Sequence, residues 1–239
     1  MSARIWPVLA IFALWQAVCA AALVPAFVLP PPLRVFETLW HERGLIGQHA
    51  LTTLAETGAG LALGIGLGVT LALAMALAPW LQRLIGPVLA GAQALPVFVL
   101  APVLVLWLGY GLGPKVAMVA LLVVFPVASG LHDGLCATPA AVLDLARIAR
   151  ASRLRTLLWL RLPHALPQGA AGLRIAVTYA PTGAVIGEWV GASQGLGYLM
   201  LMANARMRID LMFAALLVIL ALTLLLNRLT DRALARAGL

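Results

Sequence analysis

Eight carboxylates, four histidines and two cysteines are the residues of this chain best suited to acid–base or metal chemistry, and their spacing decides what they can do. His41, His49, His132 and His164 are scattered, with no His-Glu-x-x-His pair and no paired-carboxylate spacing, so no metal centre or hydrolytic site is spelled out. Cys19 and Cys136 lie far apart in or beside apolar stretches and outline neither a disulfide framework nor a metal knuckle. No Gly-x-x-x-x-Gly-Lys-Ser/Thr sequence is present; Gly109-Tyr-Gly-Leu-Gly113 lacks the preceding strand that a nucleotide-binding turn requires. The pattern therefore predicts a chain that is not an enzyme and carries no cofactor. Two acidic residues stand out by place. Glu188 lies near the end of an apolar run, between Gly187 and Trp189, and a carboxylate inside a membrane is costly enough to mark a functional position. It could line a solute path, or serve as the structural partner of an arginine or a helix N-terminus. Glu56 opens an earlier apolar run and reads as interfacial. Tyr179, Pro181 and Thr182 precede Glu188 in its run; a proline there frees backbone groups that can face a cavity, so all four are candidates for path-lining residues. Trp107, Tyr110, Trp189 and Tyr198 read as interface-belt aromatics.

The elements that must position these residues are membrane spans. Of the 239 residues 63% are hydrophobic and only 10% charged, with mean hydropathy +1.03, whereas soluble domains carry about 25% charged residues. Apolar runs cover roughly 5–24, 57–78, 88–108, 116–131, 170–190 and 211–226, and about 20 residues at 1.5 Å rise cross the hydrocarbon. An all-α membrane protein of about six spans, forming a single domain over 1–239, is expected. The first run, preceded by Arg4 and ending in Cys19-Ala20-Ala21-Ala22, also has features of a signal peptide. Within the second run Gly60, Gly64 and Gly68, continued by Ala72 and Ala76, recur every four residues, the spacing that lets two helix backbones approach closely.

Six spans put both termini on one side. With the termini in the cytoplasm, the inner side receives Arg4, Arg83, Arg147, Arg150, Arg153, Arg155, Arg161, Arg174, Arg228, Arg232 and Arg236. The outer side receives only Arg34, Arg43, Lys115, Arg206 and Arg208, so the positive-inside rule favours this orientation. The longest inner loop, about 132–169, contains the basic stretch ARASRLRTLLWLRLPHALPQ from Ala149 to Gln168. Thr138-Pro139 offers a cap and first turn for a helix over 140–150. Ser152 caps a second helix with Leu154, Leu157, Leu158 and Leu162 on one face, which Pro163 and Pro167 should stop. Two short surface helices of this kind either rest on anionic lipid or dock a cytoplasmic partner.

The residues of this loop carry a resemblance. Asp144-Leu145-Ala146, Leu160 and Leu162-Pro163 fall without a gap on the Glu-Ala-Ala, Ile and Leu-Pro positions of the loop of binding-protein-dependent ABC importer permeases. Arg150 stands where that family has glycine, which matters because glycine permits the turn between the two helices. Ala94-Leu95-Pro96-Val97 through Leu106-Trp107-Leu108-Gly109-Tyr110-Gly111, and Gly187-Glu188-Trp189-Val190-Gly191-Ala192 with Gly195-Leu196-Gly197-Tyr198, are similar to the nitrate, sulfonate and taurine branch. The stretch from Tyr179 to Gly191 looks more like permeases for pyrimidine precursors of thiamine. The resemblance covers about 52–226 and implies a type I importer permease. It implies a second permease copy, two cytoplasmic ATPase subunits that receive the loop at about 138–168, and a periplasmic or lipid-anchored binding protein, all at a bacterial inner membrane. A secondary transporter driven by an ion gradient is the alternative, although no matching inverted halves are visible.

Overall fold

The computed structural model describes residues 6–21 and 23–239, and the side chains of all of these except 7–9 and 92–94. Arg4, the first residue of the opening apolar run and Ala22 lie outside the described residues. The described chain is helical, with no strand: α1 Trp6–Ala20, α2 Pro32–His41, α3 Arg43–Leu77, α4 Pro79–Ala94, α5 Val97–Leu108, α6 Leu112–Cys136, α7 Ala140–Ile148, α8 Arg153–Thr156, α9 Leu162–Trp189, α10 Leu196–Ala205 and α11 Ile209–Arg236. A π-helical turn, Leu157–Arg161, joins α8 to α9. Three helices, α3, α6 and α11, are long and apolar enough to cross a membrane. The 28-residue α9 matches them in length.

Two expected spans differ in detail. The third is two helices, α4 and α5, because Pro96 lacks a donor and forces the preceding Leu95 into extended backbone (φ −77°, ψ 131°). The second begins at Arg43 rather than Thr57 and runs 35 residues, about 52 Å. Its first four turns carry Gln48, His49, Thr53 and Glu56, whose polarity hides a helix that tertiary contacts stabilise.

The centre of the fold is a three-helix stack of α3, α6 and α9. Gly60, Gly64 and Gly68 of α3 each lie against one valine of α6, Val119, Val123 and Val127 in turn. A Cβ on Gly64 would sit 2.6 Å from Val123, and one on Gly68 2.9 Å from Val127. The same three valines bury together with Ala176, Ala180 and Ala184 of α9. Helices in lipid gain nothing by hiding apolar surface from one another, so close contact of small residues supplies the attraction.

The bundle has two distinct ends. At one, α7 and α8 form the loop, and α3, α6 and α11 finish. Arg174 of α9 pairs with Asp231 of α11 at 2.9 Å near this end. At the other, α2 and α10 lie beside the starts of α3, α6 and α11. Thr38 of α2 donates to Asp210 of α11 at 2.9 Å, and Arg208 pairs with Glu42 at 2.8 Å. Leu196, Leu199 and Ala203 of α10 pack with Leu211, Ala214 and Ala215 of α11 and Val35 of α2.

Candidate functional site

The loop end is built on one arginine. Arg161 sends Nε to the Leu135 carbonyl at 3.0 Å and Nη1 to the Ala76 carbonyl at 3.4 Å. These belong to the last turns of α6 and α3, where carbonyls have no helical donor and the dipole is negative. The cation thus ties the π turn, by which the loop returns, to two spans. Sequence reasoning placed Arg161 among the basic residues but did not single it out; an arginine just before a span was the available signal.

The loop departs from two independent surface helices. Thr138 does not cap α7; its hydroxyl donates to the Leu135 carbonyl at 3.1 Å, and Pro139 takes the cap position. Ser152 does cap α8, accepting from the Arg155 N–H at 3.4 Å. Pro163 and Pro167 do not stop a helix. Pro163 sits in the first turn of α9, where its missing N–H costs little, and the π turn before it, closed by Leu162 N–H to Leu157 O, accommodates the ring. The second loop helix is therefore continuous with α9, and the separate loop spans only 137–161. Leu162 and Pro163 belong to α9, while Asp144, Leu145, Ala146, Arg150 and Leu160 remain in the loop.

Arg150 makes the turn that glycine would make. Its φ is +51°. The Ala151 N–H returns to Ala146 O at 2.9 Å and the Arg150 N–H to Arg147 O at 3.0 Å, the two bonds of a Schellman ending with Arg150 at its left-handed position. Asp144 pairs with Arg147 one turn along α7 at 2.7 Å, both exposed. The apolar stripe of α7 faces away from the bundle: Leu145 is 71% and Ile148 83% exposed, as is Trp159 at 77%. Between α7 and the π turn lies an open groove of about 710 Å³, walled by Val142, Leu145, Ala146, Ala149, Trp159 and Leu160. Leu145, Ala146 and Leu160 meet there; Asp144 lies on the same helix outside the wall.

A second feature is a larger cavity, about 950 Å³, on the face shared by α3, α5, α6 and α9. Leu67, Val97, Leu122, Phe125, Ile175 and Tyr179 contribute to its wall, with Ser129, Asp133 and Gln168 towards the loop end. Of the four path candidates only Tyr179 reaches it. Pro181 is buried within an unbroken α9, and Thr182 is exposed but outside the wall.

Glu188 is turned elsewhere. It is 1% exposed and accepts from the Thr53 hydroxyl at 2.6 Å and the Gly197 N–H at 2.5 Å. The Thr53 oxygen accepts the Leu196 N–H at 2.8 Å, and His49 Nδ1 accepts the Gly195 N–H at 3.0 Å. Three side chains from α3 and α9 thus satisfy three successive N–H groups where α10 begins, the positive end of a helix that otherwise leaves them unpaired. Gly195 is required there: its φ is +110° and a Cβ would enter the Glu188 carboxylate. Glu56 is not interfacial. It is 1% exposed and receives Lys115 Nζ at 2.7 Å, because α3 extends past it and α6 covers it. The ammonium crosses from a helix 59 positions along the chain, a pairing no local pattern reveals. Trp107, Tyr110 and Trp189 are exposed near this end, while Tyr198 lies 6.0 Å from the His49 ring.

A loop helix with an outward apolar face, spans packed on small residues and a cavity on one flank form the geometry in which the comparisons with known proteins fall. Residues 64–237 match the family described as binding-protein-dependent transport system inner membrane component. A probable ABC transporter permease protein of Haemophilus influenzae is 47% identical, over 89% of this chain and 87% of that one. The riboflavin transport system permease protein RibX of Chloroflexus aurantiacus is 40% identical over 89% and 80%. The formylaminopyrimidine transport permease protein ThiX of Halalkalibacterium halodurans is 35% identical over 80% and 76%. Among solved structures, an inward-facing form of the MetNI methionine ABC transporter superposes with a TM-score of 0.71 at 19% identity, over 84% of this chain and 97% of that one, which speaks for the fold alone. The chain belongs to the family of binding-protein-dependent transport system inner membrane components and is the permease subunit of an ABC transporter.

Proposed function

We propose that this permease serves an importer in which α7 and the groove beside it seat on a cytoplasmic ATPase. The observation that carries the reading is the outward apolar face of Leu145, Ile148 and Trp159 around a groove of about 710 Å³. An apolar helix face with charged edges is what helix-in-groove recognition uses, and the chain itself shows no phosphate-binding loop. Arg161 makes the loop a lever rather than a tether, because it fixes the base of the loop to the last turns of α3 and α6. Movement of α7 then moves spans.

Two copies of this chain face each other across the cavity of about 950 Å³, each supplying half of one path. The whole chain works as one permease domain in a bacterial inner membrane, with the loop end and both termini in the cytoplasm. The arginine bias supports that orientation. A binding protein delivers solute at the opposite end, where the clamp of His49, Thr53 and Glu188 on α10 holds the outer segment. The solute is a small ring compound of the pyrimidine type rather than a sulfonate. The names of the riboflavin and formylaminopyrimidine relatives support this, and among the described residues the wall of the cavity includes Tyr179 and no basic side chain. Membership of an ABC family replaces the ion-gradient alternative.

The test is uptake by the reconstituted complex of this chain, its ATPase and its binding protein in vesicles. A labelled formylaminopyrimidine should enter with ATP and with ion gradients collapsed by ionophore, and taurine should not compete. Uptake that follows a proton gradient and ignores ATP would overturn the reading.

A further inference from the structure

Beside the docking groove, and sharing Ala146 and Ala151 with it, lies a second pocket of about 510 Å³, between the loop and the junction of α3 with α4. Three guanidinium-bearing residues, Arg147, Arg153 and Arg161, contribute to its wall, with Thr156 beside them. The remaining wall is apolar and includes Leu77, Pro79 and Leu143. Among the described residues Asp144, paired with Arg147, is the single carboxylate in an ion pair with any of the three. Arg161 reaches only main-chain carbonyls. The pocket therefore keeps an excess of about two positive charges with no protein counterion.

We propose that this pocket binds the phosphate headgroup of an anionic membrane lipid. Three observations select that occupant. The wall is divided between guanidinium forks, which match phosphate oxygens, and apolar side chains, which suit the glycerol and first methylenes of a lipid rather than a free ion. The pocket lies where α3 ends at Leu77 and α4 begins at Pro79, at the loop-side end of the apolar run 57–78. Trp80, 66% exposed next to that opening, is the kind of side chain that settles among headgroups. Basic pockets between spans on the cytoplasmic face are suited to such headgroups. A lipid held here touches both the α3–α4 junction and the loop, so it would brace the lever against the spans. The inference depends on the chain lying in a membrane, not on which ATPase or solute it serves.

The experiment is native mass spectrometry of the transporter complex released from nanodiscs containing equal phosphatidylglycerol and phosphatidylcholine. The wild-type complex should retain phosphatidylglycerol preferentially. Arg153→Gln should lower that retention about fivefold, the effect of one basic residue at an anionic surface, and Arg153→Lys should keep most of it. Arg153 is exposed, so the variants should unfold at the wild-type temperature, and a loss then reads the charge and not the fold. Equal retention by Arg153→Gln, or no headgroup preference in the wild type, would overturn the proposal. So would saturable binding of inorganic phosphate in lipid-free detergent without any lipid preference, which would assign the pocket to a free anion. Loss of the ATPase from Arg153→Gln with lipid retention unchanged would assign the arginines to the protein partner instead.

Discussion

Replacing Gly64 by alanine tests the packing that positions everything else. The added Cβ would stand 2.6 Å from the Val123 side chain and 3.1 Å from the Ala120 carbonyl, where ordinary contact begins near 3.4 Å. Val123 is fully buried and is held from behind by α9, so it has nowhere to turn. Relief requires α3 and α6 to part by most of an ångström along their common length. Overpacking of this kind costs about 1–3 kcal/mol, against which alanine's better helix propensity returns about 0.8–1 kcal/mol. Gly66 is the control: a Cβ there meets nothing within 4 Å. The same substitution should therefore lower stability at Gly64 and leave it unchanged or raise it at Gly66. Thermal unfolding of the two purified variants in one mild detergent measures the difference. The midpoint should separate by about 2–12 °C at the usual 2–4 °C per kcal/mol for chains of this size. Gly64→Ala combined with Val123→Ala should recover part of the loss. Equal midpoints for Gly64→Ala and Gly66→Ala would refute the close α3–α6 contact.

Two further substitutions probe the ends of the bundle. Arg150→Gly should fold and couple at least as well as the wild type, since the left-handed backbone at φ +51° costs a non-glycine residue about 1–2 kcal/mol, whereas Arg150→Val should lose coupling; ATPase stimulation by solute-loaded binding protein reads both. Thr53→Val should lower the unfolding midpoint through a loss of about 1–3 kcal/mol, because it strips one oxygen from both Glu188 and the Leu196 N–H, and Thr53→Ser should retain the wild-type value.

What could be read from the sequence was what repeats locally. Uninterrupted apolar runs gave the positions of α6 and α11, and the four-residue spacing of glycines marked a stripe on α3. Residues 144–163 gave the loop its place, but not its joints. Proline rules predicted a stop at Pro163 and Pro167, yet a π turn carries the chain through. The extended start of α3 and the short helix α2 were hidden because their polar residues look like loop until their partners are known, and the apolar α10, at ten residues, is too short to read as a span. His49, Thr53 and Glu56 meet partners up to 146 positions away, and nothing within one segment shows that. Glu188 was conspicuous as a buried carboxylate, but its partner, the start of α10, is set by tertiary structure. Arg161 is conspicuous only once two helix ends converge on it.

The central claim is that α7 is the seat of the ATPase. Its most direct test is affinity purification of this chain with its ATPase from membranes, comparing the native protein with Leu145→Glu and Ile148→Glu. Both positions are exposed, so the variants should reach the membrane and unfold at the native temperature. The ATPase should co-purify with the native chain and be lost from both variants, with ATP-driven uptake lost in parallel. Undiminished ATPase recovery and uptake in both variants would contradict the account.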